Sequence, residues 1–351
     1  MQKNIAILPG DGIGPEIIKQ GVKVLDAIAK KYQHNFTYSY ADIGAIAIDK
    51  TGNPLPDETL AILRKADAIL FGAIGDPKYD NDPNAKIRPE QGLLRMRKEL
   101  GLFANIRPVA AFESLLEMSP LKRERIEGVD MVIYRELTGG IYFGEKGKSD
   151  DGNSAFDTCS YNVEEIERVA RLAFEQAKLR RNKVTLVDKA NVLETSRLWR
   201  LVVKDLHQKE YASVELDFLF VDNAAMQLIL SPTQFDVMLT ENMFGDILSD
   251  EASVITGSIG LLPSASVGAT TALFEPIHGS FPQGAGKDIA NPSATILSAA
   301  MLLDYLSLTQ EATDVRNAVN AVINSDVGTP DLSPSQVIGC EAFGDLVVRN
   351  I

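Results

Sequence analysis

The stretch Ile5-Ala-Ile-Leu-Pro-Gly-Asp-Gly-Ile-Gly-Pro-Glu16 decides the fold class, because it leads from an apolar strand through a glycine turn into a helix. Proline is well tolerated at the first position of a helix, so Pro15 marks where the helix begins. The glycine spacing is G-x-G-x-G, one residue shorter than the G-x-G-x-x-G fingerprint of the Rossmann dinucleotide fold. Two interpretations stay open: glycines that only make a tight turn, or a nucleotide site of a different design.

The alternation of apolar strands and helices continues along the chain. Continuous apolar strands separated by helices indicate an α/β protein with a parallel sheet covered on both faces. Strands are predicted at residues 5–8, 36–41, 68–73, 102–106, 131–134, 184–187, 214–220 and 235–239, and helices at 15–28, 56–66, 162–180, 194–208, from 223 onward, 293–307 and 311–323. Residues 257–292 are rich in glycine, serine and proline, which predicts a loop region.

The segment around residues 137–160 contains Gly139-Gly140 and a polar turn, which predict a projecting two-stranded hairpin. A hairpin of this kind is only marginally stable alone, so we expect it to pair with the hairpin of a second copy. Directly after it, Asn162 and Glu165 have the spacing of a capping box and predict a helix start.

Length and composition limit the classes of protein. A chain of 351 residues suggests two domains on the usual scale of about 100–200 residues each, and no break in composition marks a linker, so we expect interleaved domains. The net charge is −13 and no run of Lys or Arg occurs, which argues against a nucleic-acid partner. The longest apolar stretch, residues 294–308, contains Asp304 and is too short to cross a membrane. Two cysteines without metal-ligand spacing, and no signal-peptide pattern near Met1, predict a cytoplasmic location.

Two carboxylates in Thr240-Glu-Asn-Met-Phe-Gly-Asp-Ile-Leu-Ser-Asp-Glu-Ala-Ser253 carry the first indication of chemistry. Asp246 and Asp250 lie four residues apart, so a helix places both on one face. Like charges at that spacing destabilise a helix by about 0.2–0.5 kcal/mol unless a cation lies between them. Mg²⁺ and Mn²⁺ take such oxygen ligands. The alternatives are a solvated acidic face and a metal site.

Three arginines are placed to bind carboxylates. Arg97 lies on a predicted helix, Arg107 follows the strand at 102–106, and Arg135 follows the strand at 131–134. Arginine binds carboxylates in a bidentate manner, so these side chains suggest an anionic substrate. The alternative for each arginine is an ordinary surface ion pair.

Lys189 and Asp222 each follow a predicted strand. Ligands of α/β sheets bind at the carboxyl ends of strands, where both residues fall. A divalent cation nearby would lower the pKa of Lys189 and make it a usable base. Asp222 is either the N-cap of the next helix or a third metal ligand. An exposed lysine without a role is the alternative for Lys189.

Residues 274–292 form a long loop in this prediction, and loops of that length are uncommon unless they are functional. His278 could stack on an adenine, and Asn291 could donate a hydrogen bond to its edge. A histidine with a purely structural role is the alternative. The many glycine and proline residues in this loop favour a cofactor site.

Taken together, these segments resemble the isocitrate/isopropylmalate family of β-decarboxylating dehydrogenases. The resemblance covers essentially the whole chain in order. The matching pieces are Leu8-Pro-Gly-Asp-Gly-Ile-Gly-Pro-Glu16, Gly92-Leu-Leu with Arg97-Lys, Phe103-Ala-Asn-Ile-Arg-Pro108, Arg135-Glu-Leu-Thr-Gly-Gly-Ile-Tyr-Phe-Gly144, Asp188-Lys-Ala-Asn-Val-Leu193, Asp222, Thr240 to Glu251, and Glu275-Pro-Ile-His-Gly-Ser280.

The resemblance implies the isopropylmalate-dehydrogenase-like fold, which is not a Rossmann fold. Two interleaved α/β domains would share a continuous sheet with an active-site cleft between them. Residues 1–102 plus 257–351 would form the first, cofactor-side domain, and 103–256 the second, with a hairpin arm at about 137–160. The resemblance also implies a homodimer in which Lys189 and Asp222 reach into the partner's site.

The implied chemistry is oxidative decarboxylation of a malate substituted at C3, with NAD as oxidant. Asp246, Asp250 and the partner's Asp222 would hold Mg²⁺ or Mn²⁺. The three arginines, Arg97, Arg107 and Arg135, would bind the malate carboxylates. Lys189 would accept the hydroxyl proton, and Tyr142 would protonate C3 after CO₂ leaves.

The resemblance assigns further residues to the recognition of the substrate group at C3 and of the cofactor. Leu93 and Leu94, with Glu90 on the same helix, would offer an apolar patch suited to an isopropyl group, which implies the malate of leucine biosynthesis. Isocitrate relatives have polar residues in the corresponding stretch. The cofactor residues would be Ile13, Glu275, His278, Gly279, Ser280, Gln283, Gly286, Asn291 and Asp331. Gln283 stands where NAD-preferring relatives carry aspartate, so we expect NAD with weaker discrimination against NADP.

Two alternatives stay open. A sibling enzyme would act on isocitrate, homoisocitrate or tartrate. A non-catalytic homologue would bind nucleotide without turnover, although such a protein need not keep the lysine, the tyrosine, the arginines and the aspartates together.

Overall fold

The computed structural model describes residues 1–80 and 87–351. The strands are β1 (Gln2–Gly10), β2 (Asn35–Tyr40), β3 (Ala68–Ala73), β4 (Ala104–Ala110), β5 (Asp130–Glu136), β6 (Lys146–Lys148), β7 (Ala155–Asp157), β8 (Lys183–Asp188), β9 (Glu215–Phe220), β10 (Val237–Thr240), β11 (Pro263–Val267), β12 (Ala272–Pro276), β13 (Val327–Gly328) and β14 (Gln336–Val337). The helices are α1 (Gly14–Tyr32), α2 (Ala45–Thr51), α3 (Asp57–Leu63), α4 (Pro77–Asp80), α5 (Pro89–Glu99), α6 (Arg123–Ile126), α7 (Val163–Lys178), α8 (Glu194–Glu210), α9 (Val221–Leu230), α10 (Asn242–Ser253), α11 (Ser293–Tyr305), α12 (Thr309–Ile323) and α13 (Cys340–Arg349).

Local sequence accounts for several of these boundaries. Every residue of β3 is buried, as a strand with two covered faces requires. Pro15 lies in the first turn of α1. The capping box at α7 is confirmed, since Asn162 Oδ1 accepts from Glu165 N at 3.0 Å and the Glu165 carboxylate accepts from Asn162 N at 2.9 Å.

The chain divides into two compact units. The first comprises Met1–Leu102, Phe112–Met118 and Gly257–Ile351, and the second comprises Phe103–Ala111 and Ser119–Thr256. The expected domains differ from these units only at residues 112–118, which cluster with the first unit.

In the first unit the sheet order is β2-β1-β3-β12-β11, with β11 antiparallel to β12 and the other neighbours parallel. In the second unit the order is β4-β5-β10-β8-β9, with β4 antiparallel to β5 and the others parallel. The α/β class is confirmed, and neither order is the 3-2-1-4-5-6 order of the Rossmann fold. The predicted parallel sheet is present, with one antiparallel pair in each unit.

Four sequence predictions need correction. Strands β11 and β12 lie inside the predicted loop at 257–292. Helix α9 begins at Val221 rather than at Asn223, and β10 begins two residues later than predicted because Pro232–Gln234 forms a 3₁₀ helix. Strand β4 continues to Ala110, since its register with β5 extends to the pair Ala110–Asp130.

The core of the second unit lies between its sheet and helices α7 and α8. Trp199 of α8 is 2% exposed and meets the Tyr161 ring edge-on. Phe174 of α7 stacks on Tyr211 with ring centroids 4.8 Å apart. Burying aromatic side chains of this size contributes strongly to stability, so this packing holds α7 and α8 against the sheet. Among residues 1–80 and 87–351, no helix combines the length and the hydropathy needed to span a bilayer.

Candidate functional site

Asp246 and Asp250 lie on α10, and each is paired with an arginine. Arg135 Nη1 donates a hydrogen bond to Asp246 Oδ1. Arg107 Nη1 donates to Asp250 Oδ1 at 2.9 Å and to Ser249 Oγ at 2.7 Å. The two carboxylates are therefore part of a charged cluster, although the Asp250 side chain is 72% exposed.

Arg107 lies in the middle of β4, whereas the sequence placed it after a strand end. Its Nε donates to Asn105 Oδ1 at 2.8 Å, which orients the guanidinium toward α10. Alternation along the strand puts residues two apart on the same face, so Asn105 is a natural partner. Arg107 thus reaches Asp250 from the sheet and not from a loop.

Arg135 lies one residue before the end of β5 and is only 6% exposed. Its Nε donates to Asn242 Oδ1 at 2.9 Å. Gly245 of α10 allows this close packing, because a Cβ there would lie 2.6 Å from Arg135 Cγ. A buried arginine with fixed donors is a strong binding group for a carboxylate.

Tyr142 ends a 3₁₀ turn at Gly140–Tyr142 and points toward α10. Its hydroxyl donates to Asp246 Oδ2 at 2.9 Å, and the Arg135 guanidinium lies over its ring at 5.9 Å from the centroid. Burial, and next the hydrogen bond to the Asp246 carboxylate, raise the pKa of Tyr142. The hydroxyl therefore keeps its proton at neutral pH, as a proton donor must.

Lys189 and Asp222 form an ion pair, with Lys189 Nζ 2.6 Å from Asp222 Oδ1. Lys189 directly follows β8, as predicted, and its backbone N–H donates to Ser196 Oγ at 3.0 Å. Asp222 lies in the first turn of α9 with Phe220 as the N-cap, so the N-cap interpretation of Asp222 was wrong. The hydrogen bond from Lys189 lowers the pKa of Asp222. Both side chains remain partly accessible, and Asp222 is 64% exposed.

The donor set suits a hard divalent cation. Asp246 and Asp250 offer carboxylate oxygens from one face of α10, which is the ligand type that Mg²⁺ and Mn²⁺ prefer. Within the described part of this single chain, no group of three His, Cys, Asp or Glu side chains could hold a metal. Two carboxylates with water and substrate can complete a Mg²⁺ shell, and a third from a second copy would strengthen it.

Arg97 lies on α5 in the first unit, where its Nη2 donates to Glu275 Oε1 at 3.0 Å. Its Nε is buried without a hydrogen-bond partner among the described residues, so the guanidinium keeps a donor for a further acceptor. On the same helix, Leu93 packs partly into the core, Leu94 is 51% exposed, and Glu90 is half-buried. Leu94 is thus the leucine that offers most apolar surface.

The predicted cofactor residues near Ser280 contact the glycine turn after β1. Ile13 N donates to Ser280 O at 2.8 Å. Gly12 has φ +56°, and a Cβ there would overlap the Ser280 backbone. A glycine is needed at this position for both reasons. The turn is therefore built for a close approach of two backbone segments.

Asn291 and Asp331 also lie together. Asp331 Oδ2 accepts from Asn291 Nδ2 at 2.9 Å and from Ser258 Oγ at 2.6 Å. His278 Nδ1 lies 2.9 Å from Gly279 O, and burial lowers the pKa of His278, which favours a neutral ring. A neutral imidazole is suited to stacking on a base.

Gln283 lies in a 3₁₀ turn, Pro282–Gly284, and is exposed. Close by in sequence, Gly286 N donates to the Glu16 carboxylate at the start of α1. The described contacts therefore anchor the backbone beside Gln283 to the helix that follows the first glycine turn.

Sequence reasoning missed the buried polar residues behind Tyr142 and Arg135. Asn242 and Glu136 are fully buried, and Glu241 is 7% exposed. These residues lie within the motifs at 135–144 and 240–253, but the spacing of residues in a motif does not assign a role to a single amide or carboxylate. Only the folded chain brings Tyr161 to Asn242, 81 residues away.

Comparison with known proteins places this chain among the dehydrogenases. Residues 4–347 match the isocitrate/isopropylmalate dehydrogenase family. The chain belongs to that family, which confirms the resemblance read from the motifs.

Individual relatives agree. The 3-isopropylmalate dehydrogenase of Bacteroides fragilis strain YCH46 is 56% identical over 344 residues, covering 98% of this chain and 96% of the relative. The enzyme of the same name from Bacillus subtilis is 56% identical over 342 residues, covering 96% and 93%. The crystal structure of isocitrate dehydrogenase from Methylococcus capsulatus has a TM-score of 0.87 at 34% identity, covering 99% of both chains. A β-decarboxylating dehydrogenase from Thermococcus kodakarensis has a TM-score of 0.83 at 38% identity, covering 99% and 96%.

Proposed function

We propose that this chain catalyses the NAD-dependent oxidative decarboxylation of (2R,3S)-3-isopropylmalate to 4-methyl-2-oxopentanoate and CO₂, a step of leucine biosynthesis. Curated relatives named 3-isopropylmalate dehydrogenase are 51–56% identical over nearly the full length, whereas the isocitrate dehydrogenase structure is 34% identical. That difference favours the isopropylmalate reaction over the isocitrate reaction.

The contact among Asp246, Arg135 and Tyr142 carries the proposed chemistry. It brings a metal-type carboxylate, a carboxylate-binding guanidinium and a protonated phenol together. An α-hydroxy acid that loses CO₂ needs these three functions close to one another. An ordinary surface ion pair between Asp246 and Arg135 would not need the tyrosine. A tyrosine with a purely structural role would not need a carboxylate that can bind a metal.

The chain's own residues then take distinct tasks. Asp246 and Asp250, with Asp222 of a second copy, would hold Mg²⁺ or Mn²⁺. The metal site would supply Lewis-acid polarisation of the substrate oxygens, and NAD would supply the hydride acceptor. The carboxylates of the substrate would be held by arginines, namely Arg97, Arg107 and Arg135.

Proton transfer falls to two side chains. Lys189 would accept the proton of the C2 hydroxyl, and its exposure and its position after β8 suit this task. Tyr142 would donate a proton to C3 after CO₂ leaves, and its raised pKa keeps that proton available. Leu94, with Leu93 and Glu90 on α5, would receive the isopropyl group.

We also propose NAD as the cofactor, held by the residues around the Ser280 backbone. The hydrogen bond from Ile13 N to Ser280 O and the Asn291–Asp331 pair support a preformed loop there. Gln283 offers a neutral amide to ribose hydroxyls, so NADP would be rejected less strongly than with an aspartate.

A homodimer with shared sites is the proposed assembly. Apolar side chains on α9 and α10 are exposed, including Met226 at 55% and Ile247 at 58%. On the hairpin, Phe156 is 52% exposed. Burial of such side chains is favourable, so they support a second copy as the partner. We further propose a cytoplasmic location, which the free thiols Cys159 and Cys340 support.

NADH formation with Mg²⁺ tests the function directly. Purified protein is supplied with 3-isopropylmalate, isocitrate or malate, and absorbance at the nicotinamide band is followed. We expect turnover with 3-isopropylmalate to exceed that with isocitrate and malate. A preference for isocitrate would mean that isocitrate, and not 3-isopropylmalate, is the substrate. No turnover with any of the three compounds would favour a nucleotide-binding homologue without activity.

A further inference from the structure

A buried hydrogen-bond network lies behind the candidate site in the second unit. We name it the Asn242 network, and its members are Glu136, Gly139, Tyr161, Glu241 and Asn242. Its side chains are 9% exposed or less, so every polar atom in it needs a partner within the protein.

Asn242 is the central member, since one amide joins two functional segments. Its Oδ1 accepts from Arg135 Nε at 2.9 Å, and its Nδ2 donates to Gly139 O at 3.0 Å. A guanidinium only donates and a carbonyl only accepts, so the chemistry of both partners fixes the orientation of the amide. The arginine that would bind substrate is thereby tied to the loop that carries Tyr142.

Glu136 holds the start of the same loop. Its carboxylate accepts from Gly139 N at 2.7 Å and from Thr138 N at 3.0 Å. The side chain is fully buried, and Arg168 Nη2 lies 3.1 Å from Glu136 Oε1. Two successive backbone N–H groups that donate to one buried carboxylate restrict the loop strongly.

Tyr161 closes the network from the other side. Its hydroxyl donates to Glu241 Oε2 at 3.1 Å and accepts from Asn242 N at 3.0 Å. Its ring packs on the bare backbone of Gly139 and Gly140, where any Cβ would overlap it. Gly140 also has φ +75°, a conformation that favours glycine.

We propose that Asn242 and Tyr161 are positioning residues that hold Arg135 and Tyr142 against Asp246. This inference rests on the proposed function, since it assigns these residues a part in presenting the proton donor and the carboxylate-binding group. Both residues are buried, so the proposal assigns neither a contact with substrate. Each acts through the loop at 138–142 and through the Arg135 side chain.

Two substitutions separate the parts of the network. Asn242→Ala removes both amide bonds, so we expect KM for isopropylmalate to rise through Arg135 and kcat to fall through Tyr142, each by roughly 10- to 100-fold. Tyr161→Phe keeps the ring against the glycines and removes only the hydroxyl. It tests the proposal with a milder change if Asn242→Ala folds poorly.

A second readout does not depend on turnover and is amide hydrogen exchange followed by mass spectrometry. In the wild-type chain the N–H groups of Thr138 and Gly139 donate to the buried Glu136 carboxylate. If Asn242 and Tyr161 hold this loop, residues 138–142 should exchange faster in Asn242→Ala and in Tyr161→Phe than in the wild-type chain.

Tyr211→Phe is the matched control, since Tyr211 is also buried in the second unit and bonds Glu175 outside the network. Its hydrogen exchange in residues 138–142, its kcat and its KM should match the wild type even if its thermal stability falls. The proposal is overturned if folded Asn242→Ala and Tyr161→Phe proteins leave the exchange of residues 138–142 unchanged. If the wild-type chain shows no turnover but exchange in the two variants rises as expected, the proposed function fails while the positioning role stands.

Discussion

The hydroxyl of Tyr142 donates a hydrogen bond of 2.9 Å to Asp246, the first carboxylate of the α10 pair. One aspartate therefore serves two partners, since Arg135 bonds its other oxygen. Burial, followed by the bond to Asp246, raises the pKa of Tyr142, so the phenol stays protonated above its ordinary range near 10. Activity that needs this proton is fully present at neutral pH and is lost as pH rises through the raised pKa.

Replacing Tyr142 by phenylalanine tests the proton donor. Tyr142→Phe keeps the ring over Arg135 and removes the proton, so kcat should fall by about 10²-fold or more. The alkaline limb of the kcat profile should disappear with it. Metal binding should change little, because the carboxylates are intact. An unchanged kcat would remove Tyr142 from the mechanism.

Neutralising Asp246 tests the metal site. In Asp246→Asn, Mn²⁺ affinity measured by calorimetry or by electron paramagnetic resonance should weaken by about 10-fold or more. Asp205→Asn is a suitable control, because Asp205 lies on α8 of the same unit and accepts a hydrogen bond from Lys209 Nζ at 2.7 Å. Equal Mn²⁺ affinity in the two variants would show that Asp246 is not a ligand.

The strand–helix alternation was predictable because it depends on local patterns. The apolar run in β3, Pro15 at the start of α1 and the Asn162 capping box each act within a few residues. Strand β11 was missed, since Pro263–Val267 contains serine and proline and is stabilised by its antiparallel partner β12. Pairing between segments is not visible in the composition of one segment.

The same division holds for the site. The charged residues could be predicted from the sequence, because a four-residue spacing places two carboxylates on one helix face and a position after a strand is a common ligand-binding position. Arg107 was misplaced within its strand, since only the register with β5 shows that β4 continues through Pro108. Asn242 and Tyr161 were missed because their meaning lies in contacts between distant parts of the chain.

Gln283 offers a test of cofactor choice. A carboxylate bonds ribose hydroxyls and repels a 2′-phosphate, so Gln283→Asp should raise the ratio of kcat/KM for NAD to that for NADP by about 10-fold. Gln283→Asn, which keeps a neutral amide, is the control for side-chain length. A ratio that favours NADP in the unchanged chain would contradict the proposed NAD preference itself.

Mixed dimers test whether sites are shared. Lys189→Met and Asp246→Asn chains are each expected to be inactive alone. If Lys189 serves the partner's Asp246, one site of each mixed dimer is intact, and random mixing should restore about one quarter of the wild-type activity. Subunits are exchanged by mild denaturation and renaturation, and dimer mass is checked by light scattering. Failure to recover activity from confirmed mixed dimers would place Lys189 and Asp246 of one chain in the same site.

Gly140 tests the packing that supports Tyr142, with Gly128 as a close control. The two glycines have φ +75° and +76°, and a Cβ would overlap the Tyr161 hydroxyl at Gly140 but meet nothing within 4 Å at Gly128. Alanine at either position therefore carries the same backbone strain, about 1–2 kcal/mol. Gly140→Ala adds the overlap with a buried ring, which costs about 1–3 kcal/mol more.

The difference between these two alanine variants isolates the contact with Tyr161. We expect Gly140→Ala to unfold at a lower urea concentration than Gly128→Ala and to lose activity that Gly128→Ala retains. Combining Gly140→Ala with Tyr161→Phe removes the hydroxyl nearest the added methyl group, so part of the lost stability should return. Equal unfolding midpoints for the two single variants would mean that the ring does not constrain the loop that carries Tyr142.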